Sequence, residues 1–325
     1  MKKWIYAIGL LAGLASCLPE QSEVKNPIVV DTDFVLLDNY YGGAMQWEPT
    51  DRDSMTEAQW ERLFKRVEFM KLGYIRCCVM PYFYCFGYEG QKPVLIWEDM
   101  DSTKIDSRWY ANSRRYMDYL YRQLQFCKDN DIDVLLGEWW KPMDPNWQQA
   151  VPVDMPKYTI GLDDPRYAAS VARMVEHLVK DKGFTCIKQF NLGNEVNLMA
   201  NDPKNGYSWE KWKRSILNLR AELDKRGLDD IKIVGPDGGY WGVDVWFNKT
   251  LTELDKEVSV IDYHWYINKD WTYTNRVEDE TRMFRFFTQM SDRSKTNIWG
   301  EMGIRDGHDE KFDQHTLILG SVRCV

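Results

Sequence analysis

Basic clusters are missing from this sequence. After Lys2 and Lys3 no run of Lys or Arg appears, and the formal net charge is −8. A surface that tracks phosphates needs clustered cations, so nucleic acid is not an expected ligand. No Gly-rich phosphate fingerprint follows the first strand-like run, which counts against a dinucleotide-binding sheet. The seven cysteines include no CxxC pair and no Cys/His ligand spacing, so a zinc site is not expected either. Low-complexity tracts and linkers are absent after residue 30.

Aromatic residues, by contrast, are abundant: 15 Trp, 18 Tyr and 13 Phe. Much of that load must be core. Trp and Tyr are also the side chains on which sugar rings stack, so the excess favours a carbohydrate partner.

Residues 1–17 read MKKWIYAIGLLAGLASC, a basic start followed by a short apolar stretch. Spanning a bilayer takes roughly 20 apolar residues, so this stretch reads as a signal peptide rather than a membrane helix. Its last four residues, Leu14-Ala15-Ser16-Cys17, resemble a bacterial lipobox. By that resemblance Cys17 becomes the lipidated first residue of the mature protein, and residues 18–30 serve as a tether. Leu18 in place of Asp implies the outer membrane. Cys77, Cys78, Cys85, Cys127, Cys186 and Cys324 could pair in an oxidising compartment. A chain of this length needs no such staples, and buried free thiols are the simpler expectation.

From residue 34 onward, short β-type runs alternate with amphipathic helical stretches. The strand-like runs are 34–37, 74–79, 134–137, 187–192, 231–234, 260–266 and 297–299. Between them, TEAQWERLFKRVEFMK, SRRYMDYLYRQLQFCKDN, DPRYAASVARMVEHLVKDKG and SWEKWKRSILNLRAELDKRG carry apolar residues at three- and four-residue spacing. Thr56 with Gln59 three residues on is a capping-box pattern. Such alternation predicts parallel strands covered by helices. Polar and aromatic residues at the strand ends favour the closed barrel, whose active sites lie at that face. Residues 31–325 therefore read as one α/β domain, a TIM (β/α)8 barrel. Only seven strands can be counted before Val325, so the sequence reads as truncated before the eighth.

Two strand ends carry the chemistry. The fourth run, IKQFNLGNEVN, places Asn194 and Glu195 where the strand meets a loop, and NIWGEMG does the same for Glu301. Carboxylates three strands apart at one barrel mouth face each other across a cleft. Glycoside hydrolysis needs that arrangement: one carboxyl group protonates the leaving oxygen and the other attacks the anomeric carbon. In retaining enzymes the two stand about 5–5.5 Å apart. Further candidates at strand ends are Glu138 for a sugar hydroxyl, and Trp139, Trp140 and Trp241 as stacking platforms. Asp237, among glycines in GPDGG, reads as shaping a turn. His177, His308 and His315 are assigned no role. The segments DNYYGGAMQWEP and FGYEGQKPVLIWEDMDS read as loops that shape the cleft.

Asn-Glu after the fourth strand and Glu after the seventh resemble the signature of clan A of the glycoside hydrolases, which includes the family 5 cellulases and mannanases. The likeness runs over residues 30 to 305 on short motifs. It implies a retaining glycosidase acting on a β-linked poly- or oligosaccharide, with Glu195 as acid/base and Glu301 as nucleophile. LGYIRCCVMPYFY is similar to the second strand of family 5 enzymes, which implies that Arg76 supports the nucleophile. VIDYHWYIN resembles their sixth strand, which implies that His264 contacts the substrate region and Tyr266 hydrogen-bonds the nucleophile. Asn194 would bind the 2-hydroxyl of the cleaved sugar. Family 5 members carry Asn-Glu-Pro, whereas Val196 follows Glu195 here. That departure points to another or a divergent branch. The eighth strand, which in the family supplies a tryptophan beneath the sugar, is not found.

Two other readings compete. A metal-dependent sugar isomerase would use Glu138, Asp262, His264 and Glu301 as ligands, although no local ligand motif joins them. A non-catalytic glycan-binding lipoprotein would have no use for the paired carboxylates. Two-carboxylate hydrolysis needs neither cofactor nor metal, and a monomer tied to the membrane only by its lipid is expected.

Overall fold

A computed structural model describes residues 43–48, 55–98, 107–139, 160–200, 208–239, 243–268 and 295–305. All fall within one compact unit, Asn39–Val325.

Among the described residues seven parallel strands form one sheet in strict sequence order: β1 (Ala44–Gln46), β2 (Tyr74–Val79), β5 (Asp133–Glu138), β6 (Ile187–Leu192), β7 (Lys232–Val234), β8 (Val258–Asn268) and β9 (Thr296–Arg305). A separate antiparallel hairpin, β3 (Cys85–Glu89) and β4 (Lys92–Leu95), follows the second of these. Helices stand between the strands: α1 (Glu57–Met70), the short α2 (Pro81–Tyr84), α3 (Ser107–Asp129), α4 (Pro165–Glu176), the short α5 (Val196–Met199), α6 (Trp209–Lys225) and α7 (Val243–Glu253).

Side chains along a strand alternate between two faces, and on β2 and β5 both faces are buried. On β5, Val134 and Leu136 join a large outer core beneath the helices, while Leu135 joins a small inner one. That inner cluster is Tyr74, Leu135, Val234, Val260 and Ile298, with Ala44 packed against it. Ala44 and Ile298 come from the two ends of the strand order. A flat sheet would hold its second and seventh strands some five spacings of about 4.8 Å apart, yet Arg76 on β2 reaches Glu301 on β9 at 2.6 Å, so the sheet curls. This is the seven-stranded, curled part of a (β/α) barrel.

The sequence places most of these strands to within a few residues. Three features differ. The first strand is Ala44–Gln46, inside the segment read as a loop, and the run at 34–37 lies outside the described residues. With only three residues and a Trp just after them, Ala44–Gln46 carries too little periodicity to be seen. Cys85–Leu95, read as loop, is the β3–β4 hairpin. Finally, β9 continues through Arg305, so Glu301 lies within a strand instead of beyond its end. An eighth strand, which the sequence reading does not find, is not seen among the described residues either, and 306–325 lie outside them.

Cys77, Cys78, Cys85, Cys127 and Cys186 are buried free thiols, and burial pushes that of Cys85 up to about 12. Cys17 and Cys324 lie outside the described residues.

Thr56 caps α1 as its sequence predicts. The Gln59 N–H donates to Thr56 Oγ1 at 3.3 Å, and the Thr56 N–H donates to Gln59 Oε1 at 2.7 Å. Losing an N-cap of this kind costs about 1 kcal/mol. Thr56→Ala is therefore expected to lower the urea midpoint by that equivalent, and an unchanged midpoint would show that water replaces the cap without loss.

Candidate active site

Arg76 sits on the inner face of β2, two residues beyond the inner-core Tyr74 and almost wholly buried. Its guanidinium fork reaches four side chains. Nη1 donates to Gln46 Oε1 at 3.0 Å and to Glu301 Oε1 at 2.6 Å. Nη2 donates to Asn194 Oδ1 and to Asp237 Oδ2, both at 2.8 Å. The Trp139 ring lies 5.4 Å from the guanidinium carbon, within cation–π range. Burial opposes the charge on Arg76, but Asp237 and Glu301 outweigh it and keep the group cationic.

His264, inward-facing on β8, is the second hub. Its Nδ1 stands 3.1 Å from Glu195 Oε1 and 3.7 Å from Glu301 Oε2. On the other side, Nε2 forms an ion pair with Asp237 Oδ1 at 2.5 Å. Burial alone would discharge this imidazole. Instead Asp237 and Glu301 raise its pKa well above the ordinary value, so both ring nitrogens carry protons.

The two candidate carboxylates thus meet on one imidazolium. The ligand atoms of Glu195, His264 and Glu301 all lie within 4.8 Å of one another. Burial would raise the Glu301 carboxyl, yet the charges of His264 and Arg76 prevail and hold it below its usual range. Glu195 is the more open, with 24% of its side chain exposed against 11% for Glu301. Its backbone, after Gly193 at φ 94°, is left-handed at φ 48° and ψ 45°. A non-glycine residue held there stores about 1–3 kcal/mol of strain, which the surroundings must sustain. Asn197 helps to do so: it exchanges hydrogen bonds of 2.7 and 2.8 Å with the backbone of Gly239, tying α5, which begins just after Glu195, to the loop after β7.

Asp237 is the main residue the sequence reading missed. It does adopt a left-handed φ of 53°, as a turn residue would. Its side chain is buried between Arg76, His264 and Asn191, however, and these partners, Arg76 and His264 above all, hold its carboxyl below the usual range against the opposing effect of burial. The available signal was its place at the end of the fifth strand, the same signal that found Glu195. Asp262 was weighed only as a metal ligand. It lies two residues before His264, hence on the same face, and burial and the charge of Asp237 push its carboxyl up to about 7. Gly137 has a steric reason: a Cβ there would overlap the Asn191 carboxamide that reaches Asp237.

The structure brings Glu195, Glu301, Asn194, Arg76 and His264 together. Glu138 is not among them. It pairs in register with Val79, an outer-core residue, and therefore faces the helices instead of the cleft. There it accepts a 2.5 Å hydrogen bond from Tyr84 Oη. Tyr266 lies in β8 opposite Gly303, and its side chain is outside the described residues. Trp140 and Trp241 are likewise outside them. His177, stacked on Trp97 at 4.1 Å and bonded to Tyr121 Oη at 2.9 Å, is part of the packing.

Two groups have a metal-like arrangement, Glu195/His264/Glu301 and Asp237/Asp262/His264. Both draw on His264, which would have to release a ring proton before it could bind a metal. Arg76 already supplies a cation to Glu301 and Asp237.

No protein-family model matches the sequence, and no curated protein matches it. Solved structures share its fold. The GH39 enzyme from Xanthomonas axonopodis pv. citri superposes with a TM-score of 0.51 at 13% identity, over 83% of this chain and 52% of that one. A GH26 β-mannanase from Bacteroides ovatus gives 0.51 at 12% identity, over 85% and 76%. For a GH39 β-xylosidase from Caulobacter crescentus the values are 0.48 and 14%, over 85% and 58%. The chain spans little more than half the length of the two GH39 proteins. The scaffold is thus a (β/α) barrel of the kind found in glycosidases.

Because Glu138 is buried, its carboxyl is pushed up to about 8 from an ordinary 4.5. Between those values the folded chain holds a proton that the unfolded chain has released, so stability falls as pH rises through the window. Glu138→Gln is expected to flatten that fall, measured as urea midpoints between about pH 5 and about pH 8. An identical pH dependence in variant and wild type would mean that the buried carboxyl is ionised throughout.

Proposed function

We propose that this protein is a retaining glycoside hydrolase with Glu301 as nucleophile and Glu195 as acid/base. One observation carries the reading: carboxylate oxygens of Glu195 and Glu301 lie within 4.8 Å of each other on the inner side of a glycosidase-type barrel. Retaining enzymes hold their carboxyl groups about 5–5.5 Å apart, whereas inverting ones need about 6.5–9.5 Å to admit water.

The roles follow from the surroundings. Glu301 is the ionised, more buried group, fixed by Arg76 at 2.6 Å, and suits attack on an anomeric carbon. Glu195, more open to the cleft, gives its proton to the leaving oxygen as the glycosidic C–O bond breaks. In the second step Glu195 takes a proton from water, which attacks the anomeric carbon and releases Glu301. Asn194, whose Oδ1 accepts from Arg76, would bind the 2-hydroxyl. A β-linked poly- or oligosaccharide is the substrate class, as the motifs and the neighbouring folds suggest. The same reading has the protein exported and anchored through Cys17, which palmitate labelling lost in Cys17→Ala would support.

Turnover of aryl β-glycosides and β-linked polysaccharides, with product anomers followed by NMR, tests the mechanism. Retained configuration is expected, with activity abolished in Glu301→Ala and in Glu195→Ala, and azide restoring the latter as a glycosyl azide. A folded wild type that binds glycan but never cleaves it would leave the binding-lipoprotein reading. Activity lost on chelation would favour the isomerase type of chemistry.

A further inference from the structure

Alternation along β9 should turn Glu301 away from the cleft. Ile298, opposite Asp262, faces inward with the inner core, and Trp299, opposite Tyr263, packs on the outer core. Continued regularly, Gly300 would face inward against His264 and Glu301 would point at the helices. The register shows otherwise: Tyr263 pairs with Trp299, but His264 pairs with Glu301. Gly300 is one residue too many, a β-bulge, and both it and Glu301 face inward.

Asp262 occupies the hollow that this bulge creates. The Gly300 N–H donates to Asp262 Oδ1 at 2.7 Å. A Cβ on residue 300 would lie 2.5 Å from Asp262 Oδ2 and 2.6 Å from Oδ1, so the carboxylate fills the space a side chain would take. Asp262 is fully buried, and its Oδ2 has no hydrogen-bond partner among the described residues. A buried carboxylate with an unsatisfied oxygen is costly to keep in a strand interior, and holding the bulge is what its other oxygen does.

We propose that Asp262 is a positioning residue that pins the Gly300 bulge and so turns Glu301 into the cleft. Its importance for rate rests on the reading of Glu301 as nucleophile; its effect on geometry does not. The test compares crystal structures of Asp262→Asn, Asp262→Ala and Gly300→Ala in the full chain, with kcat and KM on a glycoside that the wild type cleaves. Asp262→Asn keeps an acceptor for the Gly300 N–H and is expected to keep the Arg76–Glu301 contact and near-native turnover. Asp262→Ala is expected to lose that contact and about 100-fold in kcat, the scale of a 1 Å misplacement, with KM changed by less than about threefold. Gly300→Ala should displace Asp262 and disturb Glu301 in the same way. Retention of the His264–Glu301 pairing and the Arg76 contact in Asp262→Ala overturns the proposal. If that variant fails to fold, an undisturbed Glu301 in Gly300→Ala overturns it equally. The crystallographic comparison decides the bulge whether or not the wild type cleaves a glycoside, and absence of cleavage counts against the proposed hydrolysis alone.

Discussion

A buried guanidinium governs this barrel interior. Arg76 joins β1, through Gln46, to the loops after β6 and β7 and to Glu301 on β9. A buried charge without partners would cost several kcal/mol, so Arg76 and its carboxylates can exist here only together. Lysine could not substitute, because the rigid fork bonds four acceptors on four segments at once. The fork therefore acts as a geometric standard: wherever it sits, Glu301, Asp237 and Asn194 must be within about 3 Å of a guanidinium nitrogen.

Beyond it, His264 extends the network to the mouth of the barrel. Negative charge on Asp237 and Glu301 keeps the imidazole protonated, and the imidazolium in turn holds both carboxylates in their ionised forms. The same crowding works against Asp262, whose carboxyl is pushed up by burial and by the Asp237 charge. Asp262 thus ionises less readily than Asp237 and Glu301, although all three lie close to the same imidazole. Within the cleft the carboxylates of Asp237 and Glu301 are balanced by Arg76 and His264.

Much of this was legible in the sequence wherever a local rule suffices. Strand order followed from the alternation of elements, the α1 cap from Thr56 and Gln59, and the pair Glu195 and Glu301 from their places at strand ends. Errors arose where side-chain direction depended on register. Glu138 ends a strand just as Glu195 follows one, but its pairing with Val79 turns it outward to Tyr84. Asp237 looked like a turn residue, and its backbone is one; that its carboxylate points at Arg76 depends on residues 161 positions away. The three residues of β1 were too few to show a period at all.

Those errors share a cause with the site itself. A regular strand with period two offers each position one of two directions, so a carboxylate that the period turns outward, or that lies past its strand, must be brought to the mouth by other means. The three carboxylates that pair with His264 escape that restriction by irregular backbone. Glu195 and Asp237 do so through left-handed residues just past their strands, and Glu301 through the bulge at Gly300. Irregularity of this kind is stabilised by specific partners: the Asn197–Gly239 pair, Arg76, and the Asp262 carboxylate. Since those partners come from other strands, no local pattern announces them. Residues that support such a site are therefore better sought at broken periodicity, as a charged residue inside an apolar strand or a glycine beside a carboxylate, than at matches to a regular one.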